Sequence, residues 1–185
     1  MKVKKLLNYF LGPICILFWI NSVNATPILL GTSVKATGIQ NLAISGQLYH
    51  VTFSDISSYA NTFTTQPTFI NDQVGANIAA QAILTVLNNN SVTGISNLVD
   101  LSVNGSLWVQ IPYQVDGNFV FSELLLLPTA NGQWQTYPTF PDDINIVYNN
   151  VSWVSFAHSV PVPSTTILFC TSLLCIMLRR RLINS

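Results

Sequence analysis

Apolar and polar residues alternate through much of the middle of the chain. Leu48, His50 and Thr52 fall on one side of a predicted strand, with Tyr49, Val51 and Phe53 on the other. Leu107, Val109 and Ile111 oppose Trp108 and Gln110 in the same way. A period of two places successive side chains on opposite faces of a sheet. Turn dipeptides punctuate these runs. Ser45-Gly46 separates 39–44 from 47–53, Asn104-Gly105 separates 98–103 from 106–111, and Asp116-Gly117 separates 112–115 from 118–121. Asn131-Gly132 precedes a run over 133–137. Asn-Gly and Asp-Gly supply the positive φ angles that two-residue hairpins need, so each pair predicts a hairpin. A last strand over 150–156 sets Val151, Trp153 and Ser155 on one face.

The period changes once. Ile78, Ala79, Ala82, Ile83, Val86 and Leu87 recur at helical spacing. Asn71 or Asp72 supplies the cap, and Asn88-Asn89-Asn90 the stop. An alanine-rich helix suits close packing on a sheet. The pattern therefore predicts an α+β fold of antiparallel hairpins and meander with one packed helix, over residues 26–159.

The two ends have a different texture. Leu6 to Ile20 is mostly apolar after Lys2, Lys4 and Lys5, and Val23-Asn24-Ala25 offers short residues before Thr26. This is the layout of a secretory signal peptide over 1–25, with signal peptidase expected to cut between Ala25 and Thr26. The competing reading is an uncleaved anchor, but a spanning helix needs roughly 20 apolar residues and Pro13 interrupts this one. At the other end, Val160-Pro161-Val162-Pro163-Ser164 breaks any regular element. Thr165 to Leu178 then carries no charge, and Arg179, Arg180 and Arg181 follow. The arginines place their end on the cytoplasmic side of a membrane helix and leave 26–159 outside.

The order Pro-x-Pro, apolar helix and arginine cluster resembles the PEP-CTERM sorting tail of Gram-negative bacteria, in its Val-Pro-x-Pro variant. Leu168-Phe169 matches the Leu-Phe pair of that variant, while Cys170, Ser172 and Cys175 stand where glycines are usual. The resemblance covers 160–185. It implies an exosortase as partner, a transient stay in the inner membrane, and a final place at the cell surface or in the biofilm matrix. Leu48-Tyr49-His50-Val51-Thr52-Phe53, the alanine-rich helix and a tryptophan strand before the tail are also similar to cargo regions of such proteins, which implies a fold and no activity. The other reading of the tail is a permanent single-pass anchor.

Charge sharpens this picture. Six of seven basic residues sit in the two ends, and between residues 26 and 160 Lys35 stands alone against seven carboxylates, a net charge of −6. Such a segment does not neutralise phosphates, which argues against nucleic acid as a partner. All three cysteines lie in the apolar ends, so the exported region has no disulfide to staple it.

Candidate chemistry is sparse. His50 and His158 are too few for a zinc site, and no Gly-x-Ser-x-Gly elbow occurs. Asp55, Asp72, Asp100, Asp116, Asp142 and Asp143 lack the Asp-x-Asp-x-Asp spacing of a calcium loop. Glu123 reads as a solvent-facing strand residue. No cofactor and no catalytic residue are expected. Trp134, just after a turn, is expected to be partly exposed, and with Tyr137 it is the candidate contact for extracellular polysaccharide. Trp108 and Trp153 are expected to fill the core. A secreted hydrolase acting on glycans or peptides is the rival reading. Finally, Thr37-Gly38-Ile39-Gln40-Asn41-Leu42 is echoed by Thr93-Gly94-Ile95-Ser96-Asn97-Leu98, through duplication or through shared turn chemistry.

Overall fold

The computed structural model describes residues 25–55, 57–96, 106–128 and 132–159. The sorting motif Val160–Ser164, the arginines 179–181, most of the signal region and the Asn104-Gly105 turn lie outside them. No helix among the described residues is long and apolar enough to cross a membrane.

Eight strands form one mixed sheet: β1 (Ile28–Thr32), β2 (Lys35–Ile44), β3 (Gln47–Phe53), β4 (Leu107–Asp116), β5 (Phe119–Leu127), β6 (Gln135–Tyr137), β7 (Pro141–Asp143) and β8 (Val151–His158). Among the described residues two helices accompany them, the one-turn α1 (Tyr59–Thr62) and the long α2 (Gln73–Asn89). The α+β class is as expected. The sheet order, β1-β2-β3-β8-β4-β5-β6 with β7 also on β5, is not a simple meander. The last strand enters the middle, antiparallel to β3 and parallel to β4.

Local chemistry explains the elements. Ser45 (φ 49°) and Gly46 (φ 80°) form the β2–β3 turn, with positive φ at both loop positions. In the β4–β5 hairpin Asp116 pairs with Phe119, so the loop is Gly117-Asn118, one residue later than the sequence suggests. What reads as two strands, 106–111 and 112–115, is the single strand β4. Pro112 has no N–H for the ladder, and the register shifts there instead of ending, leaving Tyr113 as the extra residue.

Asp72 caps α2, its Oδ1 accepting from the Gly75 amide at 2.8 Å. The helix buries Ala76, Ala79, Ala80, Ile83, Val86 and Leu87. The buried stripe is therefore rotated from the expected one toward Ala76 and Ala80, leaving Ile78 exposed. Alanines at the contact let the helix lie close on the sheet. Asn88 and Asn89 are still helical, and the stop falls at Asn90.

The sheet is covered on both sides. On the helix side, α2 packs over a core that includes Ile39, Val51, Val109, Ile111, Leu125 and Val154. On the reverse side, α1 and the chain between β7 and β8 cover a smaller cluster of Tyr59, Val120, Val151 and Trp153, fringed by Phe63, Trp108, Ile144 and Tyr148. Val151 and Trp153 share that face as expected, and Val154 serves the other.

Candidate ligand-binding face

The reverse side of β4, β5 and β6 carries the chemistry. Register places its residues in rows. Val151, Trp108, Leu126 and Gln135 form one row, and Trp153, Gln110, Leu124 and Tyr137 form the next. Ser122 and Asp142 follow on the same side, because Ser122 pairs with Pro112 and Asp142 with Val120.

The first two rows make an aromatic platform. The Trp108 ring meets Tyr137 edge-to-face at 5.0 Å and Phe140 at 6.1 Å. Tyr137 is 44% exposed and Phe140 40%, and the exposed amide Gln135 stands beside them. Trp108 on β4 and Tyr137 on β6 stand two strands apart on the same face, and their long aromatic side chains meet across β5. Edge-to-face contact fixes the rings while leaving faces free to receive an apolar surface.

Beneath the platform lies a buried polar cluster. Gln110 is 2% exposed, and its Nε2 donates to Asp142 Oδ2 at 2.6 Å. Tyr148 also donates its hydroxyl to Asp142. Loss of water pushes the Asp142 carboxyl above the usual carboxylate range, and the bonds from Gln110 and Tyr148 pull it back only in part. Burial, with the Asp142 charge adding to it, raises the Tyr148 phenol. Among the described residues, Gln110 Oε1 and Ser122 Oγ have no partner. Gln110 stands in the second row and Ser122 follows one step along the same face, beside the Gln110–Asp142 bond.

Trp134 is a correction. It is 3% exposed, not a surface residue. Its Nε1 donates to the Val92 carbonyl at 2.7 Å, and Asn88 grips its backbone from both sides, accepting from its amide (2.8 Å) and donating to its carbonyl (3.0 Å). It plugs the gap between the end of α2 and the following chain, so no ligand reaches it. Tyr137 keeps its exposure, and its partner is Trp108, which the sequence consigns to the core. The signal that could have found Trp108 is its place opposite Leu107, Val109 and Ile111 in the alternation.

The remaining candidates disperse. His50 pairs with Ala157 and His158 with Tyr49, so the two histidines project from opposite sides of the sheet. His158 stacks on Tyr49 at 4.8 Å. Adjacent positions on β7 likewise send Asp142 and Asp143 to opposite sides, and Asp143 accepts from the Asn145 amide. They do not form the paired carboxylates of a glycoside hydrolase. Asp55 accepts from Ser96. Glu123 is half-buried and accepts from Gln73 and Asn77 of α2, tying the helix to β5. Among the described residues, no three His, Cys, Asp or Glu side chains gather as metal ligands would. Ala25 and Thr26 lie just ahead of β1.

Comparison with known protein families, curated proteins and solved structures yields no match, so the face described above is read from its own geometry.

Proposed function

We propose that this chain is an exported, non-enzymatic surface or matrix protein that binds extracellular polysaccharide through the Trp108–Tyr137–Phe140 platform. The observation that carries the reading is the platform itself: Tyr137 and Phe140, both substantially exposed, each meet the Trp108 ring beside the amide of Gln135. Exposed rings stack on the apolar face of a pyranose, and amides meet its hydroxyls. Delivery follows from the ends. Signal peptidase releases Thr26, the tail holds the chain in the inner membrane, and an exosortase acts at Val160–Ser164, with Arg179–Arg181 on the cytoplasmic side.

Two measurements test it. Affinity electrophoresis of the purified chain in exopolysaccharide should show retardation, reduced about tenfold in affinity by Tyr137→Ala with Phe140→Ala, as the loss of about 1.4 kcal/mol would give. Unaltered retardation in that variant overturns the platform. Mass spectrometry of the native protein should find Thr26 first and the tail lost near Pro163. An intact C-terminus that is indifferent to exosortase deletion overturns the sorting.

A further inference from the structure

The described chain starts and finishes at one pole of the sheet. Ile28 opens β1 opposite Gln40, and Thr26 lies beyond it toward the β2–β3 turn. β8 closes with His158 opposite Tyr49, and the Ser159 amide donates to the Leu48 carbonyl at 2.9 Å. Only β2 and β3 stand between the two exits, so three interstrand steps, ~14 Å, separate them. β4 runs parallel to β8, which brings its end and the Gly117-Asn118 turn to the same pole.

Exposed apolar side chains are spread along that pole, from Ile28 on β1 to Phe119 on β5. Ile28 and Phe119 are half exposed, and Val115 and Ile146 nearly so. Ile146 belongs to this group because the Ile144 amide donates to the Asn118 carbonyl, bringing the chain after β7 to the turn. The aromatic platform lies toward the other pole. Trp108 is level with Val151, seven residues before His158, ~23 Å along β8.

The chain beyond Ser159 is short before it becomes apolar. Residues 160–164 span at most about 20 Å before the uncharged run from Thr165 begins. A run inserted in lipid therefore holds the pole that carries Ser159 against the membrane. The apolar run 6–20 leads into that same pole through Ala25.

We propose that this pole is the membrane-facing end of the anchored chain, resting on lipid head groups through Ile28, Val115, Phe119 and Ile146, with the platform held outward. The proposal rests on reading the tail as membrane-inserted. Asp116 and Asp143 both pair with Phe119 and keep the contact at head-group level, since carboxylates are costly in hydrocarbon. Binding competence then precedes release, because the platform faces away from the bilayer while the tail is still attached.

The test uses the full chain with Cys15→Ala, Cys170→Ala and Cys175→Ala, labelled at Ala43→Cys near the β2–β3 turn or at Gln133→Cys ahead of β6. Each is placed in phosphatidylcholine vesicles containing a head-group quencher. The Ala43 position should be quenched about threefold more than Gln133, because Ala43 lies one residue beyond the His158 level and Gln133 beyond the Trp108 level, ~26 Å or more apart along the strands. Equal quenching, or stronger quenching at Gln133, in chains that float with the vesicles overturns the orientation and leaves anchoring intact. Chains that do not float overturn both.

Discussion

On the helix side of the sheet, Ile39, Ile83, Leu87, Val109 and Leu125 are all wholly covered, and polar bonds sit at its margins, such as Glu123 with Gln73 and Asn77. On the reverse side, Trp153 and Val120 are covered as completely, yet Gln110, Ser122 and Asp142 lie among them. One side is an ordinary apolar core under an alanine-rich helix. The other is a thin lid over a polar cluster, roofed by one turn of helix and an irregular segment. Buried polar atoms without partners are rare because each costs about 1–3 kcal/mol. Their concentration on one side marks that side as shaped for something besides stability.

The comparison can be broken most severely at Trp153. Trp153→Ala removes the largest buried side chain of the reverse side, its edge contact with Tyr59 and its bond to the Ser57 carbonyl. Urea denaturation should show a loss of about 3–5 kcal/mol, the range of large aromatic deletions, so the thin side would rank with the thick one. A loss under about 1 kcal/mol would mean that the reverse side contributes little to the cooperative unit.

Gln110→Leu comes next. It removes one donor from Asp142 inside a buried cluster, and should cost about 1–3 kcal/mol in the same assay. Asp142 also sets a pH dependence. Its carboxyl lies above the ordinary 3.8 in the folded protein, so the folded state holds the proton more tightly than the unfolded chain does. Its contribution is fully present below the unfolded value and is lost as pH rises through the folded value. Asp142→Asn should therefore flatten the fall in melting temperature over that window; an unchanged slope refutes the burial argument. Asp72→Ala on the helix side should cost about 1 kcal/mol through the lost cap. Ser122→Ala should be the mildest and of opposite sign, stabilising by up to about 1 kcal/mol, because it removes a buried hydroxyl that has no partner among the described residues.

Much of the fold was legible because it is local. The Ser45-Gly46 hairpin, the Asp72 cap and the alternation of Tyr49, Val51 and Phe53 toward the core follow from contiguous residues. The repeated Thr-Gly-Ile has a local reason too. Gly38 and Gly94 each lie against a backbone carbonyl, of Val51 and Val34, where a Cβ would collide, and Ile39 and Ile95 beside them are fully buried. Yet Ile39 sits within β2, whereas Ile95 makes an isolated parallel bridge to Ala36. Similar letters meet similar steric demands in different settings.

The site was half legible. Tyr137, named in the sequence only as a candidate contact, is exposed in the fold, while Trp134 and Trp108 exchange roles. Position after a turn suggests exposure for Trp134, but Asn88, 46 residues earlier, closes around it. Trp108 alternates in a strand that reads as core, but it faces the reverse side, where its ring neighbours Tyr137 and Phe140 are themselves exposed, so the ring stays half-buried.

By itself the sequence determined the hairpins, the capped helix, the acidic character of 26–159 and the contrast between that region and its apolar, basic ends. Those properties depend on neighbours along the chain. Only the tertiary structure decided that β8 enters between β3 and β4, that Gln110 meets Asp142 across 32 residues, and that both chain exits share a pole opposite the aromatic platform. Strand order and side-chain pairing of this kind depend on which distant faces bury each other best, and no periodicity records that.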